Sequence, residues 1–281
     1  MNTATTTLST LLLAWVVSGS AMANCLQDQR GDLIEGGLLW GTVAPGSTAT
    51  LDDEVLDVLP DGTTFLGFHR DAPAVSTLVV TTPDGLRCEQ VLNVASREYK
   101  IQRVEGVPQK TVTPPKEQTE RIQRERAKVG AAKGQRFDRP DLIEAARDGF
   151  TWPTVGPISG VYGSQRFYNG TPRSPHYGVD VAVPTGTAVA APAPGIVTLA
   201  EPDLFFSGVT VILDHGYGLS SSFLHMSKVT VEVGQELKTG DVLGEVGATG
   251  RATGPHLDWR MSWRDRRIDP QLLVPPMPAT Q

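Results

Sequence analysis

The chain has 281 residues but few aromatics (6%), two cysteines, five histidines and no basic excess, its formal net charge being −6. A nucleic-acid-binding surface is not expected without clustered Lys and Arg to meet phosphates. No apolar run reaches the roughly 20 residues that a membrane-crossing helix needs, so no stable membrane span is expected in the mature chain. Neither cysteine has neighbours at metal-binding spacing. What the chain does hold is 29 Gly and 21 Pro, a composition that favours turns and short strands.

The first residues have the form of a secretory signal. Leu11 to Val17 is a short apolar core without Lys or Arg before it, and Ala21-Met22-Ala23 is a small-x-small cleavage site. Residues 1–23 are therefore expected to be removed, leaving an exported protein, periplasmic or extracellular, that starts at Asn24. Cys25 invites a lipid anchor, but Asn24 is a poor residue in front of a lipidated cysteine. In an exported chain, Cys25 and Cys88 are expected to pair as a disulfide. Two buried thiols are the alternative.

Residues 24–107 show short strands between turn signals. Ala44-Pro-Gly-Ser, Leu59-Pro-Asp-Gly and Thr82-Pro-Asp-Gly each put Pro at the second turn position, where its fixed φ suits the turn. Val55–Leu59, Thr64–Phe68 and Leu78–Thr82 read as strands, and a small β-sandwich is expected. Composition shifts over 108–150. After Thr113-Pro-Pro, Lys116 to Lys133 predicts a helix with a thin apolar face, chiefly Ile122 and Val129. A solvated connector is the plain reading, and 108–150 is expected to be a helical linker that packs on one or both domains. A second helix is expected over Pro140 to Arg147, stopping at Gly149. Strands return from Trp152 without helical periodicity, predicting an antiparallel β domain over 151–274 and a Pro-rich tail over 275–281. The fold class is mainly β throughout.

Three histidines lie in short Gly-punctuated segments of that domain. His176 and Asp180 are four apart. In a flat strand their Cα atoms would stand about 13 Å apart, so sharing one ion requires a bend, expected at Gly178. A surface His and an unrelated capping Asp are the alternative. His256 and Asp258 are two apart and share a strand face, while Leu257 and Trp259 point to the other. One of the pair can coordinate an ion and the other reach its water. By the same period His225 is expected on the face of Ser221 and Phe223. His215 and Asp214 read as structural.

His176-Tyr-Gly-Val-Asp180, Ser222-Phe-Leu-His225-Met-Ser and Gly250-Arg-Ala-Thr-Gly-Pro-His256-Leu-Asp258-Trp-Arg together strongly resemble the lysostaphin/LytM-type zinc endopeptidases of bacterial cell walls. The resemblance spans roughly Trp152 to Leu273. It implies a LytM-like β domain with an open groove and hydrolysis of peptide bonds in peptidoglycan. One Zn2+ would be held by His176 and Asp180, and His225 and His256 would be the catalytic groups.

One position departs from the family, which ends His-x-His with the second His as third ligand; here it is Asp258. A carboxylate is a competent zinc ligand, so the expected metal set is His176, Asp180 and Asp258. Two carboxylates predict a less acidic bound water and tolerance of other divalent metals. The expected activity is metal-assisted hydrolysis, with Tyr168 or Arg166 offered as oxyanion partners. The substitution leaves a second reading open, a catalytically silent scaffold that binds wall or activates a separate amidase.

Overall fold

The computed structural model describes residues 24–105 and 116–279. The expected signal segment, Thr113-Pro-Pro and the last two residues of the tail lie outside the described residues. Among the described residues no helix is long and apolar enough to cross a membrane.

The N-terminal module consists of β1 (Gln27–Gly31), β2 (Leu38–Thr42), β3 (Thr48–Leu51), β4 (Glu54–Leu56), β5 (Thr63–Gly67), β6 (Val75–Thr81) and β7 (Arg87–Asn93). Two antiparallel sheets result, β1-β2-β5 and β4-β3-β6-β7. Along β6, Ser76, Leu78 and Val80 are buried while their neighbours are not, the period-two pattern of a sheet with one covered face. The three Pro turns close as their residue types require: Ser47 N–H donates to Ala44 O, Gly62 N–H to Leu59 O and Gly85 N–H to Thr82 O. The strand expected over 55–59 ends at Leu56, because Asp57 turns to pair with Arg136 and Arg264.

A further strand, β8 (Ile101–Val104), leaves this module. A short 3₁₀ turn then leads into α1 (Thr119–Gly134) and α2 (Pro140–Arg147). α2 has Pro at its first turn and buries Leu142, Ile143 and Ala146. α1 is not freely solvated. Its Ala132 and Val129 pack on Leu199, Leu204 and Ile212 of the following sheet. Arg121 pairs with Asp203, Lys128 with Glu201, and the Glu125 carboxylate accepts the Phe205 N–H. The sheet supplies the apolar surface that the helix lacks.

The second domain contains β9 (Ile158–Gly160), β10 (Gln165–Tyr168), β11 (Thr171–Pro172), β12 (Val179–Val181), β13 (Ala188–Ala190) and β14 (Gly195–Leu204). It continues through β15 (Gly208–Asp214), β16 (Leu219–Val229), β17 (Glu236–Leu237), β18 (Val242–Val246), β19 (Leu257–Trp263) and β20 (Arg266–Ile268). The central sheet runs β17-β14-β15-β16-β19-β12-β9 with antiparallel neighbours. β10 pairs with β11 and, in parallel, with β8.

Register sorts the two faces of this sheet. Phe223 pairs with Trp259, and both are fully buried in the core together with Val211, Met261 and Trp263. Leu199, Ile212, Ser222 and Arg260 are successive cross-strand partners and so share the other face. Asp258 and Ser262 flank Arg260 on that face by the period of two. α1 covers its β14–β15 side. The N-terminal module docks on β19 and β20: Phe65 lies 5.7 Å from the Trp263 ring, Arg264 pairs with Glu54 and Asp57, and Arg97 pairs with Asp269.

Cys25 and Cys88 form a disulfide that ties the residues before β1 to β7 and so links the two N-terminal sheets. It closes a loop of sequence separation 63. Replacing both residues by Ser is expected to destabilise the module by roughly 4 kcal/mol on chain-entropy grounds. Urea unfolding followed by tryptophan fluorescence measures this; a loss below about 1 kcal/mol would show that the link constrains little.

Candidate functional site

β12 and β19 lie side by side with Asp180 opposite Asp258, so the sheet register itself brings two carboxylates together. Like charges so placed repel unless something compensates them. His176 supplies part of the answer. It lies just ahead of β12, and the chain between them passes tightly over β19: a Cβ on Gly178 would stand 2.5 Å from Trp259 O and 2.7 Å from Asp258 Oδ1. Glycine is required there for close approach. Gly160 plays the same part on the far side, where a Cβ would stand 2.2 Å from Asp180 Oδ2.

The side chains converge. His176 Nε2 lies 3.0 Å from Asp180 Oδ1 and 3.5 Å from Asp258 Oδ2. One ligand atom from each of the three residues lies within 4.8 Å of the others. Ligands about 2.1 Å from one tetrahedral ion stand roughly 3.4 Å apart, so this spacing fits a divalent metal such as zinc. The His176 Nε2 and Asp180 Oδ1 atoms are buried and, although close, lack hydrogen-bond alignment.

Two more histidines face the cluster. His225 Nε2 is 4.0 Å from Asp258 Oδ2, and His256 Nε2 is 4.0 Å from Asp180 Oδ1. Their rings lie 4.9 Å apart. Backbone carbonyls fix both tautomers: Nδ1–H of His225 donates to Thr249 O at 2.8 Å, and Nδ1–H of His256 donates to Gly254 O at 2.8 Å. Each Nε2 is thereby left with its lone pair directed into the site. Burial pushes the His225 ring toward its neutral form, outweighing the Thr249 bond and the Asp258 charge.

His225 does not reach this position by the strand period that Ser221 and Phe223 follow. Phe223 points into the core, and simple alternation would send His225 after it. The β15–β16 register shifts between Val209 and Val211, and His225 takes φ of +63°, a left-handed conformation unusual for a side chain of its size. The bulge turns the ring onto the face of Asp258. Backbone strain at this residue is held by His225 N–H donating to Ser207 O at 2.8 Å.

Asp258 is 2% exposed. Burial by itself would raise its pKa, but the Arg260 guanidinium and the neighbouring His176 hold the carboxyl well below the usual range. Arg260 grips it with Nε at 2.9 Å from Oδ1 and Nη2 at 2.5 Å from Oδ2. This arginine was not among the residues singled out from the sequence, although its signal was available, being two positions from Asp258 in a strand and hence on its face. Burial disfavours protonation of His176, yet its contacts with Asp180 and Asp258 prevail and push its pKa up to about 10 in the absence of metal.

The remaining expectations fall elsewhere. Tyr168 and Arg166 lie on β10, where Arg166 donates to Gln102 Oε1 of β8, and nothing ties either to the cluster. His215 is wholly buried, with Nδ1–H donating to Pro194 O and Nε2 facing Ser221 Oγ; burial lowers its pKa to about 4. His69 accepts the Asp71 N–H within a turn.

Comparisons with known proteins follow this geometry. Residues 174–270 match peptidase family M23. The peptidoglycan DD-endopeptidase ShyA of Vibrio cholerae is 32% identical over 149 residues, which are 52% of this chain and 34% of ShyA. An uncharacterised metalloprotease of Haemophilus influenzae is 38% identical over 106 residues, 38% of this chain and 22% of that protein. The chain thus spans about a third of the first of these relatives and about a fifth of the second. A crystal structure from Pseudomonas aeruginosa assigned to the M23 peptidases is 31% identical, with a TM-score of 0.63, and the match covers 88% of this chain and 96% of that one. The chain belongs to peptidase family M23, a family of peptide hydrolases.

Proposed function

We propose that this protein is an exported, zinc-dependent endopeptidase that cleaves peptide bonds in bacterial peptidoglycan. The observation that carries this reading is the convergence of three imidazole Nε2 atoms and two carboxylates on one centre. His176, Asp180 and Asp258 would hold the ion. The peptidoglycan substrate and the export that goes with it are supported by likeness to ShyA, named as a peptidoglycan endopeptidase. When bound, the ion supplies Lewis acidity toward a carbonyl and a water.

The chain's own residues then have separable tasks. His256 and His225, with Nδ1–H committed to backbone carbonyls, each offer Nε2 to accept a proton from water or return one to the leaving amine. Neutral rings are needed for the accepting role, and burial favours that form for His225. Arg260 keeps Asp258 ionised and oriented. A silent scaffold has no use for two tautomer-fixed bases aimed at a ligand set.

Two predictions test this. Mature protein with added Zn2+ is expected to release muropeptides from purified peptidoglycan. His176→Ala and Asp180→Ala should abolish release and metal binding. His256→Ala and His225→Ala should keep the metal and slow hydrolysis by about 10²–10⁴-fold. Asp258→His should change metal preference or degree of activity. No release by the parent with any of several divalent ions would sink the proposal.

The second concerns protons. At pH 7 the metal-free protein keeps His176 protonated, since its pKa is pushed up to about 10. Metal needs the lone pair, so binding should release close to one proton, and affinity should rise about tenfold per pH unit between pH 7 and 8. Calorimetry in two buffers of different ionisation enthalpy measures the release; a buffer-independent heat contradicts it. The folded pKa lies above the unfolded value near 6.5, so the same contacts stabilise the metal-free fold fully below about pH 6.5. That contribution is lost as pH rises through 10.

A further inference from the structure

Ser262 lies four residues beyond Asp258 on β19, on the same face of the sheet and about 13 Å along it. Its hydroxyl is the meeting point of two cations. Lys133 of α1 donates from Nζ to Ser262 Oγ at 3.1 Å, and Arg267 of β20 donates from Nη1 to the same oxygen at 2.9 Å. The two nitrogens therefore stand no more than about 6 Å apart. Arg260 lies between them and Asp258 and is held by that carboxylate. Among the described residues, no carboxylate forms an ion pair with Lys133 or Arg267.

Such a pair disfavours the fold. One neutral hydroxyl oxygen does not compensate two charges in a partly buried place. Burial lowers the Lys133 pKa far below the ordinary lysine range, and repulsion from Arg267 and Arg260 adds to this more than Asp258 offsets. Burial and Arg260 likewise depress Arg267. An anion seated between the two nitrogens relieves both.

The Arg267 side of this pair borders open space, while Ser262 is buried and Lys133 lies behind it. Arg267 also lines a cleft of about 430 Å³ between the N-terminal module and the β19–β20 edge, together with Arg70, Tyr177 and Arg266. In that cleft Arg70 is paired with Asp71 and Arg266 with Glu54, whereas Arg267 forms no ion pair among the described residues, although Asp265 also lines the cleft. Its guanidinium lies 5.9 Å from the ring of Tyr177, the residue after His176. The distance from Ser262 back to Asp258 equals roughly four residues of extended peptide.

We propose that Lys133 and Arg267 form a carboxylate-binding subsite for an acidic peptide substrate. A carboxylate of the wall peptide docks between the two cations and sets which bond lies over the His176–Asp180–Asp258 cluster. This rests on the reading of the protein as a peptidoglycan endopeptidase, although docking itself requires no hydrolysis. It also gives α1 a part in substrate recognition, since half of the subsite comes from it.

The test uses the whole mature chain and two probes, a stem tetrapeptide with free carboxylates and the same peptide with every carboxylate amidated. Calorimetry on metal-free protein is expected to show the free acid binding more tightly. Lys133→Met and Arg267→Met should each weaken the free acid by about 10- to 100-fold, the range of a charge-assisted hydrogen bond, so that the difference between the two peptides collapses. Lys133→Arg should retain it. With metal-loaded protein, the same variants should raise KM for the free acid far more than they lower kcat. Equal weakening of both peptides, or none of either, overturns the subsite, as does displacement of the peptide by equimolar acetate. If the endopeptidase reading fails, metal-loaded protein leaves the peptide intact while the calorimetric discrimination persists; if the subsite fails, hydrolysis proceeds with the KM of the variants unchanged.

Discussion

A carboxylate in the middle of a sheet has to be charged and answered, or it does not stay. Asp258 is opposite Asp180, and both lie on the face that holds the cluster with His176. Leaving such a group buried without a partner costs several kcal/mol. The surroundings supply two answers of different kinds, the fixed guanidinium of Arg260 and the titratable ring of His176. One is permanent, and the other can give up its proton. The glycines at 160 and 178, the bulge at His225 and the alternation of β19 all serve to hold these groups at that spacing.

β19 shows how one strand divides the work. Leu257, Trp259, Met261 and Trp263 are buried on the core side, where Trp263 meets Phe65 of the N-terminal module. Asp258, Arg260 and Ser262 face the site. Anchoring on one side makes the other rigid, as a site that must hold ligand atoms to within a fraction of an ångström requires. The same docking makes the N-terminal module part of the cleft wall, since Arg70 and Arg267 line one space.

Local chemistry was legible in the residues themselves. The Pro turns, the second helix with Pro at its start and the approach of His176 to Asp180 all follow from φ restrictions and spacing. What could not be read was whatever depends on a partner remote in sequence. The face of α1 looked too thin because it packs with Ala132 and Val129 on apolar side chains that β14 and β15 provide. The stem of Lys133 extends past them to Ser262, a reach that hydrophobic periodicity does not register. His225 was placed on the right strand and on the wrong alternation, since a bulge is a property of strand pairing and leaves little trace in one strand's residues.

The same reasoning revises what Asp258 does to the site. Counting ligands from the sequence, a second carboxylate replaces a neutral imidazole and brings one more negative charge to the ion, which would make a bound water less acidic. Arg260 returns that charge. Its two nitrogens hold both Asp258 oxygens, so the pair together carries no net charge toward the centre. Asp258 with Arg260 is then closer in electrostatic effect to a neutral imidazole than Asp258 would be by itself. Oδ2 accepts from Arg260 Nη2 and at the same time lies 3.5 Å from His176 Nε2, so the compensated carboxylate still borders the cluster. Asp258 with its neighbour two residues along the strand therefore leaves the charge of the cluster nearly where a neutral side chain at that position would.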